Sequence, residues 1–227
     1  MGSNSLTTSL RLSGRVYGTL LNHRSAYSAF EAAMGGPPYN GAPKAPVLYI
    51  KPRNTLGANG DEVRVPGDVD ELEVGGSLGV VIGAPACNVP IDRALSVIGG
   101  YVIVNDVSVP HTELYRPSIR HKARDGFCPI GPRVVPASAI RDPDQVTVRV
   151  SVDGALRSQS STADLVRPVA QLLRDVTEFM TLNPGDVLIV GVAFPSPRVR
   201  AGQSVRIEID GLGALENPFV AATEARS

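Results

Sequence analysis

The chain has 227 residues, enough for a substantial core in one large domain or two small ones. Apolar residues make up 43% of it and 22 basic side chains meet 22 acidic ones, which excludes a disordered chain and points to neither nucleic acid nor a membrane surface as a partner. No apolar run approaches the roughly 18 residues needed to span a bilayer. Residues 1–6 lack the basic-then-apolar order of a secretory signal, and Leu6 stands where myristoylation needs Ser or Thr, so a cytoplasmic protein is expected.

Short runs rich in β-branched residues and bounded by Gly, Pro, Asn or Asp read as strands. In chain order, the first covers 16–21, and a weaker helical pattern follows from about Ser25 to Met34. The stretch Gly35-Gly36-Pro37-Pro38-Tyr39-Asn40-Gly41-Ala42-Pro43 has neither a period nor enough N–H donors for a ladder, so it is irregular. Strands are predicted next at 47–50, 78–82, 101–104 and 146–152. Gly75-Gly76 precedes a strand rather than a helix, and so fails as a phosphate loop.

One helix is clear: Val169, Leu172, Leu173, Val176, Phe179 and Met180 recur at the steps of a single helical face. Pro168 suits its first turn, and Asn183-Pro184-Gly185-Asp186 stops it ahead of strands at 187–190 and 204–209. There are too few helices between strands to cover both faces of a parallel sheet. The expected fold class is therefore mostly β with few helices (α+β), as one domain over 14–220 with a flexible lead-in at 1–13 and a tail at 221–227.

Cys87 and Cys128 are too few for a disulfide framework, and Cys128 reads as a buried thiol rather than a reactive one. His23, His111 and His121 have no metal-ligand spacing and no Gly-x-Ser-x-Gly elbow beside them, which disfavours a serine-hydrolase triad.

Landmarks in a fixed order carry more information than any one motif. They are Leu21-Asn22-His23, Ile50-Lys51-Pro52-Arg53-Asn54-Thr55, Leu78-Gly79-Val80-Val81-Ile82-Gly83, Gly100-Tyr101 with Asn105-Asp106, and Lys122. Asn183-Pro184-Gly185-Asp186, Gly211-Leu212-Gly213 and Glu216-Asn217-Pro218 close the series. In this layout the chain resembles the fumarylacetoacetate hydrolase family, which implies a mixed β-sandwich or β-roll and assembly as a homodimer or heterodimer. Tyr115-Arg116-Pro117, Lys122-Ala123-Arg124-Asp125-Gly126-Phe127 and Thr162-Ala163-Asp164-Leu165 are similar to the branch that degrades 4-hydroxyphenylacetate (homoprotocatechuate). Enzymes of that branch isomerise 5-carboxymethyl-2-hydroxymuconate and decarboxylate 5-oxopent-3-ene-1,2,5-tricarboxylate. They are often built as two related halves, and Leu21-Asn22-His23-Arg24-Ser25 looks like the N-terminal half.

The resemblance also implies site residues. In relatives a Glu-x-Glu pair before the Leu-x-Val-Val-Ile-Gly strand joins the Asp of Asn-Asp-x-Ser to hold Mg²⁺ or Mn²⁺. Here those glutamate positions read Gly75 and Ser77, leaving Asp106 as the metal candidate. Losing two anionic ligands weakens a divalent site by several kcal/mol on electrostatic grounds. The water-activating His and Glu of the hydrolases fall on Ala26 and Ala29, the Thr-Gly-Thr-Pro turn reads Val190-Gly191-Val192-Ala193, and an Arg-Asp pair reads Pro110-His111. Lys122 matches the family's active-site lysine and is the catalytic candidate; Lys51, Arg53, Arg116 and Arg124 are candidates for holding the carboxylates of a 2-oxo or 2-hydroxy acid.

Plainer readings stand beside these. Arg120-His121-Lys122-Ala123-Arg124 is also a charge run of the kind that lies on a solvated face, and Arg116 and Arg124 favour structural salt bridges over ligand contact. Asp106, in an apolar strand, needs a partner: a metal, a lysine or backbone donors. Two functions follow. The chain is a subunit of the isomerase/decarboxylase, or it is a metal-free structural partner of a ligand-complete paralogue. A small acylpyruvate hydrolase is disfavoured by Ala26 and Ala29.

Overall fold

The structure, a computed structural model, describes residues 11–37, 39–112 and 118–222. Its strands in chain order are β1 (Val16–Leu20), β2 (Val47–Lys51), β3 (Leu56–Gly57), β4 (Val63–Val65), β5 (Leu72–Glu73), β6 (Gly76–Ile82) and β7 (Ile98–Asn105). Then come β8 (Cys128–Pro136), β9 (Thr147–Val152), β10 (Ala155–Ser161), β11 (Val187–Ile189), β12 (Arg198–Val199), β13 (Ser204–Ile209) and β14 (Gly213–Ala221). The helices are α1 (Arg24–Met34), α2 (Ile119–Lys122) and α3 (Val169–Thr177). The fold is mostly β, as the sequence indicates. Among the described residues no helix is long and apolar enough to cross a membrane.

A seven-stranded sheet runs β2-β1-β11-β6-β7-β8-β3, and a five-stranded sheet runs β10-β9-β13-β14-β4. Most neighbours are antiparallel, with β1–β11, β3–β8 and β4–β14 parallel. The two edges of the larger sheet, β2 and β3, are joined through the single turn Arg53–Thr55. Edges so closely linked require the sheet to curl round on itself, and this curl brings β2 towards the end of β7.

β6 explains its own sequence. Every residue from Gly76 to Ile82 is buried. Leu78, Val80 and Ile82 enter the main core with Val148, Val150 and Ile207 of the second sheet, while Val81 joins Val102, Val104, Cys128 and Ile189 on the opposite face. A strand covered on both sides reads as a continuous apolar run rather than an alternation. A Cβ at Gly76 would lie 2.8 Å from Val150 and 3.0 Å from Ile207, so glycine here lets the two sheets approach.

Outside the sheets, α1 begins one residue before its predicted start; His23 caps it, its Nδ1 accepting from Ser25 N–H. On α3, Val169, Leu172, Leu173 and Val176 are buried, and Asp144 accepts from the Val169 N–H at the helix start. Phe179, predicted on that buried face, is instead 63% exposed. The helix ends earlier, where Thr177 is bound through its carbonyl by Asn88 N–H and through its hydroxyl by Val89 N–H. Ser13 of the lead-in donates to Gly185 O and Asp186 at the Asn183–Asp186 turn, whose carboxylate also accepts from Asn183 N–H.

Candidate active site

Asp106 follows β7, with its backbone N–H on Gly75 O at 2.9 Å. Its carboxylate is buried among two ammonium groups and a phenol, with hydrogen bonds to Oδ2 and an ion pair, but no hydrogen bond, at Oδ1. Lys122 Nζ stands 2.8 Å from Oδ2, Lys51 Nζ 2.8 Å from Oδ1, and the Tyr49 hydroxyl donates to Oδ2 at 2.6 Å. Burial alone would raise the pKa of Asp106, but Lys122 and Lys51 outweigh it and hold the carboxyl below the ordinary carboxylate range. Burial, and next the charge on Asp106, push the Tyr49 phenol well above its usual value, so it serves as a neutral donor.

The two lysines differ. Lys51 is 1% exposed and donates to the carbonyls of Val107, Lys122 and Phe127 at 2.7–2.9 Å. Its donors go to those carbonyls, and it meets Asp106 as an ion pair. Burial draws its pKa down, with Asp106 opposing. Lys122, at the end of α2, lies 4.7 Å from the centre of the Tyr49 ring, a cation–π arrangement, and borders a cavity. Alternation along β2 puts Tyr49 and Lys51 on one face, and Gly18 opposite Tyr49 on β1 leaves room for the ring.

That cavity has a volume of about 110 Å³. Lys122, Asp106, Tyr49, Ser108 and His111 supply its polar side, and Ala26, Phe30, Val192 and Phe194 an apolar one. Phe30 and Phe194 meet edge to face at 5.2 Å. Glu73 also borders it, with its carboxylate 3.0 Å from Arg198.

The expected carboxylate-holding residues are distributed differently. Lys51 is walled off behind Asp106, and Arg53 lies exposed on a separate shallow groove. Arg124 forks onto Asp68 at 2.9 and 3.1 Å, the salt bridge favoured by the sequence. None of the three lines the cavity; Arg116 lies outside the described residues. Tyr49 and His111 are the additions. No motif marks Tyr49, though its place two residues before Lys51 on a strand carries the signal.

A profile described as fumarylacetoacetate (FAA) hydrolase C-terminal matches residues 15–220. The chain belongs to the fumarylacetoacetate hydrolase family. It is 41% identical to the 4-hydroxyphenylacetate degradation bifunctional isomerase/decarboxylase of Salmonella dublin, over 94% of this chain and 48% of that protein. The chain thus spans about half the length of this relative. Among solved structures, 5-carboxymethyl-2-hydroxymuconate delta-isomerase from Mycobacterium smegmatis superposes with a TM-score of 0.78 at 32% identity, covering 95% of this chain and 81% of that one. Maleylpyruvate hydrolase from Sphingobium sp. SYK-6, in complex with manganese(II) and pyruvate, gives 0.76 at 26% identity over 92% and 71% of the two chains.

The residues of this family member do not fit such a metal. Gly75 offers no ligand, and the Ser77 hydroxyl is buried and donates to Gly191 O at 2.6 Å. Both oxygens of Asp106 face ammonium groups, and no cluster of three His, Cys, Asp or Glu side chains suits a metal ion among the described residues. Of the partners the sequence allows for Asp106, a metal, a lysine or backbone donors, the structure places two lysines against its carboxylate.

Proposed function

We propose that the chain is one half of a two-part isomerase/decarboxylase acting on 2-oxo or 2-hydroxy dicarboxylic acids, paired with a second, related half. The observation that carries this reading is the 41% identity across 94% of the chain to a bifunctional enzyme of which it spans 48%. The site chemistry supports it. A substrate carboxylate, or the oxyanion of an enolate, is attracted to the Lys122 ammonium in a partly dry cavity. Asp106 and the Tyr49 ring orient that ammonium, and Ala26, where the hydrolases carry a water-activating His, disfavours hydrolysis.

A second reading is favoured by Gly75, Ser77 and the engaged Asp106: a catalytically degenerate subunit that completes a dimer with a metal-binding paralogue. One experiment separates them. The purified chain is assayed for isomerisation and decarboxylation alone, and after mixing with a paralogue that keeps all three carboxylates. Turnover by the chain alone that is lost in Lys122→Met supports the first reading. Activity only on mixing, unchanged by Lys122→Met, supports the second, and no activity or complex in any arm defeats both.

A further inference from the structure

We propose that this pocket has lost the room for a metal-ligating side chain at position 75 as well as the ligands themselves, and that it binds a small carboxylate through Lys122 without metal. The proposal concerns what the pocket can hold, so it stands whichever reading of turnover applies.

The first observation is steric. A Cβ built at Gly75 would lie 2.7 and 2.9 Å from the two γ-carbons of Val192 and 3.1 Å from Asp106 O. The two valine contacts are closer than real side chains make, and a β-branched valine has few rotamers by which to yield. Val192 also lines the cavity. Its methyl groups therefore fill the volume into which any side chain from position 75 would project. Ser77 is tied to the same segment, through its bond to the carbonyl of Gly191. Positions 75, 77 and 192 form one adjusted unit.

The second observation is charge. With Lys51, Lys122 and Asp106 all ionised, two positive charges face one negative. Lys51 is enclosed by carbonyls, so the excess is presented to the cavity by Lys122. The other charged group at the cavity, Glu73, is offset by Arg198, and His111 adds no negative charge in either protonation state. A cavity with this balance repels a divalent cation and attracts an anion. Its apolar side of Phe30, Phe194, Ala26 and Val192 limits water and strengthens the pairing. A volume of about 110 Å³ holds about four water-sized groups, enough for the carboxylate end of a small 2-oxo acid.

The test is calorimetric titration of the full chain with oxalate, once in EDTA and once with Mn²⁺, beside direct Mn²⁺ titration followed by paramagnetic resonance. With concentrations expressed as free oxalate, since Mn²⁺ itself chelates the dianion, oxalate is expected to bind with the same Kd within about twofold in both buffers, and about tenfold or more weaker in Lys122→Met, the effect of losing one charge-assisted contact. Lys122→Arg is expected to retain part of the affinity. Mn²⁺ alone is expected to give no saturable binding. The paired substitution Gly75→Glu/Ser77→Glu is expected to leave Mn²⁺ unbound, while adding Val192→Gly creates a saturable Mn²⁺ site, with circular dichroism certifying the fold of each. Saturable Mn²⁺ binding to the unmodified chain that Asp106→Asn abolishes would overturn the proposal without any engineered glutamate. So would oxalate binding that requires Mn²⁺, no oxalate binding at all, or Mn²⁺ bound by the paired variant with Val192 in place.

Discussion

The Tyr49 ring lies against Gly18, in the space that a side chain at position 18 would occupy. This contact lets a residue on the edge strand β2 reach Asp106. Gly18→Ala is expected to push the ring away, weaken the Tyr49–Asp106 bond and cost about 1–3 kcal/mol as overpacking of a tight contact. In Tyr49→Ala the same alanine should cost much less. A double-mutant cycle by urea denaturation reads the coupling.

Lys51→Met removes a buried cation while leaving Asp106 and the carbonyls of Val107, Lys122 and Phe127 in place. Breaking one side of a buried pair costs about 3–5 kcal/mol, and that loss is expected here in the urea midpoint. Lys51→Arg should not restore it, because a planar fork cannot replace a compact ammonium among those carbonyls.

Acid should act on the site through Asp106. Its folded pKa lies below the ordinary carboxylate value of about 3.9, so its contribution is present above about pH 4 and is lost as pH falls towards the folded value. Thermal melts of the chain and of Asp106→Asn are expected to differ most near neutrality and to converge as pH drops below about 4. A gap that stays constant to the lowest pH would contradict this assignment.

Thiol reagents should separate the two cysteines. Cys87 is exposed; Cys128 is buried, and burial pushes its thiol up to about 12. Iodoacetamide followed by mass spectrometry is expected to mark Cys87 in the folded chain, and Cys128 only after denaturant is added.

Strands with a strong apolar pattern were legible in the sequence because their burial is uniform or strictly alternating, as in β6 and β9. Of the strands the sequence did not reveal, β3, β4, β5 and β12 are only two or three residues long, and the three longer ones were hidden by their composition. β8 holds Pro129, Pro132 and Pro136, β14 holds Pro218, and β10 is a polar edge strand with no apolar period. Lys122, Asp106 and the vacated positions 75 and 77 could be read from motifs, since these depend on local order in the chain. The partners of Asp106 could not, because Tyr49 and Lys51 reach it only through the curl of the large sheet. Arg53 is a converse case: its motif fixes the turn joining β2 to β3, and its side chain points to a groove outside the cavity.

Lysine occurs in this sequence at positions 44, 51 and 122 only, and arginine supplies nearly all the remaining basic groups. With Lys51 enclosed and Lys122 lodged against Asp106, the exposed Lys44 is the side-chain amine left open to acylating reagents. Coupling to an amine-reactive dye above pH 9 should therefore label the folded protein at Lys44 and the α-amine, and leave its pocket unblocked. Any further label incorporated would report loosening of the interior.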